Sequence, residues 1–181
     1  MSFSDYEAFW SARYRDAGEE YLFGTAPNQF LAAQSAYFGD GTSVLAVADG
    51  EGRNSVWLAE QGCAVTATEI SPVALEKAAK LARGRHVEVN FVQADIFYWD
   101  WPQDAFDAVV GIFIQFAGPV ERPRQLAGMK DAVKPGGVLL LQGYTPKQLE
   151  YRTGGPSAVE NLYTDAMLRE VFADWEIVLL R

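Results

Sequence analysis

The chain has 181 residues, 49% of them hydrophobic and 22% charged, and a net charge of −9 at pH 7. That size and balance fit one folded domain and exclude a disordered or fibrous chain. A single cysteine (Cys63) and a single histidine (His86) exclude an internal disulfide and a zinc site built from those ligand types, and the acid excess disfavours a nucleic-acid partner. No apolar run approaches the ~20 residues of a membrane span. The expectation is a cytoplasmic protein without a membrane or nucleic-acid partner.

The chain opens on an aromatic helical pattern. Tyr6, Phe9, Trp10, Arg13 and Tyr14 recur at three- and four-residue spacings and so share one helix face. Gly24 to Asn28 breaks the pattern, and Pro27 suits the first turn of a second helix carrying Phe30, Leu31 and Gln34. From Ser43 strands and helices alternate. Ser43–Ala48 is an apolar strand that ends in Asp49-Gly50-Glu51-Gly52. A helix follows, with Val56, Trp57 and Leu58 inward and Gly62 as its stop. Ala64–Glu69 is the second strand. Ser71 caps the next helix, Pro72 opens its first turn, and Gly84 ends it. Val87–Gln93 and Phe106–Phe113 are the third and fourth strands. A helix over Pro119–Val133 leads through a Lys134-Pro135-Gly136-Gly137 turn to a fifth strand, Val138–Gln142. A helix over Thr164–Phe172 and a last strand, Trp175–Leu180, complete the pattern.

Strands that are apolar on both faces and alternate with helices imply a doubly wound, mostly parallel sheet in an α/β/α sandwich. In such sheets ligands bind at the carboxyl ends of the strands, where the strand order reverses. The loop Val47-Ala48-Asp49-Gly50-Glu51-Gly52-Arg53-Asn54 falls at such an end. Its glycines suit a tight turn and close ligand approach, although a plain strand-to-helix turn needs them too. Glu69 ends the second strand nineteen residues after Gly50, where an acid accepts hydrogen bonds from a ribose diol or serves a helix N-terminus. Asp95 follows the third strand. It can accept an adenine amine, with Ile96 and Phe97 beside the ring, or cap a turn. No Gly-Lys-Ser/Thr and no Tyr-x-x-x-Lys occurs, so a P-loop and a short-chain dehydrogenase pair are absent.

Together these residues resemble class I S-adenosylmethionine-dependent methyltransferases over nearly the whole chain. Val44 to Asn54 is similar to the first motif of that family and Val65 to Ser71 to its ribose-acid strand. Gln93-Ala94-Asp95-Ile96 is similar to its adenine motif, Phe106 to Val110 to its fourth strand, and Leu126 to Leu141 to its fifth-strand region. Trp10 to Tyr14, Tyr21 to Gly24, Pro27 to Leu31 and Tyr151 to Pro156 further resemble the tellurite-resistance and thiopurine small-molecule group. The resemblance implies a Rossmann-like methyltransferase domain over 1–181, with a helical lid over 1–40 and a cofactor-binding core over 43–181. It implies S-adenosyl-L-methionine as cofactor, held by Trp10, Arg13, Ala48, Asp49, Gly50, Gly52, Asn54, Glu69, Ile70, Asp95, Ile96 and Ile112.

Two departures from the family pattern stand out. Positions 46 and 48, an acid and a glycine in the family, are both alanine here. Asp49 or the aromatic N-terminal segment is then left to anchor the methionine end of the cofactor. The family fold also usually closes with an antiparallel hairpin of two strands where this sequence offers one, so the expectation is either a missing tail or a sheet edge that needs covering.

A sulfonium is an activated methyl donor, so the protein mainly aligns the acceptor and excludes water. The loop after strand four, Gly111-Ile112-Phe113-Ile114-Gln115, offers no base, and Gln115 only exchanges hydrogen bonds. That favours a small-molecule acceptor already nucleophilic: a thiol, an oxyanion of selenium or tellurium, or a halide-like anion. Gln115, Tyr144 and Arg152 are the candidates to contact it, with Arg13 a second cation. Trp10, Tyr14, Tyr21 and Phe23 suit a lid over the sulfonium through cation–π attraction. His86 and Cys63 read as structural. Two alternatives stay open: a protein that binds S-adenosylmethionine without catalysis, and a nicotinamide-binding oxidoreductase fragment.

Overall fold

The computed structural model describes residues 3–151 and 154–181. Five strands form one sheet: β1 (Ser43–Val47), β2 (Ala64–Glu69), β3 (Asn90–Gln93), β4 (Phe106–Ile112) and β5 (Val133–Gln142). Their order is β3-β2-β1-β4-β5 and every pairing is parallel. The order reverses between β1 and β4, so the switch point falls where the glycine loop begins. The helices are α1 (Phe3–Asp16), α2 (Gln29–Ala33), α3 (Arg53–Glu60), α4 (Pro72–Gly84), α5 (Arg122–Asp131), α6 (Gln148–Tyr151) and α7 (Asp165–Val171).

The sheet is buried on both faces because its central strands are apolar at consecutive positions. Leu45, Val47 and Val109 pack with Leu126 and Met129 of α5 on one face. Val44, Ala108 and Val110 pack with Leu58 of α3 and Leu31 of α2 on the other. Caps fix the helix starts: Asn28, Ser71 and Thr164 each accept a main-chain N–H with the side chain. The cap places Pro27 before α2 rather than in its first turn. Between β3 and β4 the described chain forms no helix. Trp99 and Trp101 cover the core there instead, their rings 5.1 Å apart edge to face.

Three sequence expectations need correction. The helix expected over Pro119–Val133 is shorter, and β5 already begins at Val133. Lys134-Pro135-Gly136-Gly137 is therefore a bulge inside β5, not a turn before it. The pairing jumps from Phe106↔Val133 to Ala108↔Val138, so the extra residues loop out of register, with Gly136 at φ 79°. Third, Trp175–Leu180 forms no strand. A strand needs a ladder partner, and this segment pairs with none of the described strands. Its end instead places the Arg181 guanidinium over Phe30 of α2, 5.3 Å from the ring centre.

Candidate functional site

Four loops leave the carboxyl edge of the sheet, after β1, β2, β3 and β4, and α1 lies across all of them. Tyr6 meets Phe97 after β3, with ring centres 5.7 Å apart. Trp10 meets Phe116 after β4 at 6.4 Å. Ser11 shares a 2.8 Å hydrogen bond with Ser71 after β2. A Cβ added to Gly50, after β1, would lie 2.9 Å from the Tyr14 hydroxyl. The inner face of α1 is thus Tyr6, Trp10, Ser11 and Tyr14. Arg13 lies outside that face, stacked over Trp10 and Phe9.

The glycine loop is held in two ways. Ala48 N–H donates to Thr68 Oγ1 and Asp49 N–H to the Thr68 carbonyl, at 3.3 and 2.9 Å. Ala48 has φ 48°, a left-handed conformation that disfavours a side chain. Gly52 is required by packing as well as by its φ of 88°: a Cβ there would lie 2.8 Å from that of Ala78, where α3 crosses α4.

Glu69 is 5% exposed. Its carboxylate accepts the main-chain N–H groups of Gly50, Ile70 and Ser71, each at 2.9 Å. Burial raises its pKa, opposed by those three donors. Two oxygens offer about four acceptor positions, so one remains for a hydroxyl. Asp49 sits one turn away. Burial lifts its carboxyl to about 7, opposed by hydrogen bonds from Ser55 and assisted by the Glu69 charge. Its Oδ2 is sealed from solvent and unpartnered. Asp95 caps its own turn, Oδ1 accepting the Phe97 N–H at 3.0 Å, while its Oδ2 is likewise buried without a partner. Burial and the nearby Glu69, Glu51 and Asp49 charges hold the Tyr14 phenol neutral, its pKa far above the ordinary value.

Several expected residues are placed otherwise than the sequence suggested. Asn54 Oδ1 accepts the Asn28 N–H at 2.9 Å, so its side chain ties the start of α2 to α3 and does not face the crevice alone. Ile96 is buried in the core behind the β3 loop. Ile112 packs toward the α2–α3 face. Ile70 contributes its N–H to Glu69. Gln115 is a bracket: its amide donates to the Tyr144 and Asn161 carbonyls at 2.8 and 3.3 Å and accepts the Tyr144 N–H at 2.5 Å. Its hydrogen bonds all go to main chain. Tyr144 stacks on Phe113, ring centres 4.6 Å apart and 27° from parallel. Arg152 lies outside the described residues.

One arrangement gave no sequence signal. Glu51, buried in the glycine loop, pairs with Lys77 of α4 at 2.5 Å and accepts the Leu22 N–H at 2.7 Å. Lys77 also donates to the Glu20 and Tyr14 carbonyls at 2.6 and 3.3 Å. One ion pair therefore fastens the strap between α1 and α2 to the glycine loop. A charge flanked by glycines and a lysine on a distant helix share no periodicity that would link them. A groove of about 700 Å³ lies at the opposite edge of the sheet, lined by Ser43, Thr66, Asn90 and Phe106 among others, and holds no cluster of acids or nucleophiles. His86, after α4, is also at that edge.

A parallel sheet with a glycine loop at its switch point and an acid ending the next strand defines a nucleoside-binding α/β protein. Residues 44–137 match the methyltransferase domain model, and the chain belongs to that family. S-adenosylmethionine is the cofactor of the family. The chain is 30% identical over 105 residues to demethylmenaquinone methyltransferase of Thermus thermophilus, covering 57% of this chain and 47% of that protein. It thus spans about half the length of that curated relative. TehB from Haemophilus influenzae superposes with a TM-score of 0.70 at 19% identity, covering 96% of this chain and 56% of that one. A structure described under conversion of a disulfide bond into a thioacetal group during echinomycin biosynthesis superposes with a TM-score of 0.75 at 22% identity, covering 93% and 77%. These two likenesses speak to the fold.

The polar atoms at this edge are acceptors of the kind that an adenosyl amine and ribose hydroxyls call for. Two buried carboxylate oxygens, on Asp49 and Asp95, await donors. Gly50 leaves no side chain between the loop and what lies over it. Glu69 keeps one acceptor position between them.

Proposed function

We infer that this chain is an S-adenosylmethionine-dependent methyltransferase acting on a small molecule that is already nucleophilic, a thiolate or an oxyanion of selenium or tellurium. Glu69 accepts a ribose hydroxyl, Asp95 Oδ2 the adenine amine, and Asp49 faces the positively charged end. When bound, the cofactor supplies a methyl group on a sulfonium, which passes to the acceptor as the carbon–sulfur electron pair stays with the leaving thioether. The chain's own part is to hold, align and exclude water. Trp10 and Tyr14, stacked on each other, roof the loops, where aromatic rings attract a cation.

The observation that carries the reading is that, among the described residues, no base at the carboxyl edge is left for an acceptor once Asp49 and Asp95, each with one unpartnered oxygen, are turned to the cofactor. Glu69 is engaged by three N–H groups and Gln115 by main chain, and the one histidine is at the far edge. A hard acceptor must lose a proton and needs such a base, whereas a thiolate arrives without one.

Calorimetry with S-adenosylmethionine, then a panel of thiols, selenite, tellurite and amines, tests this. Cofactor binding with methylation of the thiols or oxyanions and not the amines is expected. Failure to bind the cofactor overturns the reading, and methylation of amines alone overturns the acceptor class.

A further inference from the structure

The ends of β4 and β5 carry a feature that the cofactor does not explain. Phe113 directly follows β4 and has φ 57°, a conformation that costs a non-glycine residue energy and tends to persist where function demands it. It is nonetheless well fixed, since its N–H donates to the Gln142 carbonyl at 2.8 Å. Its large apolar ring is 36% exposed. Burial therefore does not account for the strain.

The ring stacks on Tyr144, and Tyr144 is itself immobilised. Gln115 grips both its N–H and its carbonyl, and the Tyr163 N–H donates to the same carbonyl at 2.9 Å. A Cβ on Gly155 would lie 2.5 Å from Tyr144 Cδ2, so the following turn closes on one side of the phenol ring. Phe113 is the open end of this stack. Its place is set by the strand register. Val47 pairs with Gly111, so Phe113 lies two residues beyond that pair on one strand and Asp49 two residues beyond it on the neighbour, with strand axes about 5 Å apart. Ala48 and Phe113, on the two strands flanking the switch point, are both held at positive φ.

We propose that Phe113, propped by Tyr144, is a stacking shelf that selects a methyl acceptor bearing a flat aromatic ring. The proposal rests on the methyltransferase reading above and adds to it the shape of the acceptor. A ring laid on Phe113 extends the stack and covers the exposed π-face. Its nucleophilic substituent then projects across the switch point toward Asp49 and the glycine loop. A saturated ring of equal size buries similar apolar area and lacks the offset-stacked geometry, so the shelf favours the planar one.

2-Phenylethanethiol and 2-cyclohexylethanethiol test this, because both are primary alkyl thiols of similar acidity that differ in planarity. Their dissociation constants are measured by calorimetry on the full chain saturated with S-adenosylhomocysteine. The planar thiol is expected to bind about two- to tenfold more tightly, the range given by ring stacking. Phe113→Leu keeps apolar bulk and is expected to bring the ratio to about one while S-adenosylhomocysteine affinity holds. Tyr144→Leu removes the prop and is expected to shrink the ratio as well, and it decides the matter should Phe113→Leu not fold. Equal binding of the two thiols by the unaltered chain, a preference that survives both substitutions, or no binding of either thiol overturns the shelf. Failure of S-adenosylhomocysteine itself to bind overturns the methyltransferase reading instead.

Discussion

The carboxyl edge of the sheet has two unlike halves. Over β1, β2 and β3 the crevice is roofed by α1, its acids are buried, and Glu69 is satisfied by three main-chain donors. Over β4 and β5 α1 reaches as far as Phe116, through Trp10, and the polar work beyond it goes into bracing two aromatic rings, one of them in part exposed. The first half is built for a ligand with several fixed hydrogen-bonding groups. The second presents a flat apolar surface and is built for shape.

The largest test of this contrast is to release the roof. Lys77→Met leaves Glu51 buried without its partner, which costs about 3–5 kcal/mol. It also frees the Tyr14 carbonyl near the end of α1 and the Glu20 carbonyl in the strap that follows. Urea denaturation should show that loss, and stopped-flow dissociation of S-adenosylhomocysteine should be faster. An unchanged dissociation rate would mean that the ion pair serves the fold and not the closed half of the site.

The next concerns Asp49. Its carboxyl titrates at about 7 in the folded chain, above the ordinary value of 3.8. The folded state therefore holds this proton more tightly than the unfolded one, and the contribution of Asp49 to stability falls as pH rises from about 4 to 7, then stays flat. The total is about 4 kcal/mol at 1.36 kcal/mol per unit. Glu69, also raised by burial, acts in the same direction. Asp49→Asn should flatten most of that slope in thermal melts taken across this range.

On the open half, Gln115→Ala removes the bracket from Tyr144 and leaves the part-buried Tyr144 N–H and Asn161 carbonyl without its hydrogen bonds, at a cost of about 2 kcal/mol. Calorimetry should find S-adenosylhomocysteine affinity nearly unchanged, because the bracket touches no residue of the roofed half. A parallel loss of cofactor affinity would show the two halves to be one cooperative unit. The smallest effect expected is a gain. Ala48→Gly relieves the left-handed strain at the end of β1 by about 1 kcal/mol, less the extra freedom glycine has when unfolded. A melting temperature that rises or holds fits this, whereas a fall would show that the Ala48 methyl packs usefully.

Local patterns were enough for the scaffold. The alternation of apolar strands with capped helices dictated a parallel doubly wound sheet, because two-sided burial leaves few other arrangements. Gly50, Glu69 and Asp95 were legible as one constellation because each ends or follows a strand at the same edge, so chain order alone brings them together. The aromatic face of α1 was legible for the same reason, although periodicity could not say that its four inner residues meet four different loops. What the sequence withheld depends on contacts between distant segments. The bulge in β5 is a matter of register with β4, and Pro135-Gly136-Gly137 reads locally as a turn. The last segment alternates like a strand yet finds no ladder partner. Gln115 looked like a free hydrogen-bonding group until Tyr144 and Asn161 were brought to it. Glu51 met Lys77, and Phe113 met Tyr144, only once the helices and strand ends were packed. Period and capping fix which elements form, since those energies are set within a few residues. Which polar groups are left over for a ligand is decided by the fold as a whole, since every buried donor and acceptor competes for partners across it.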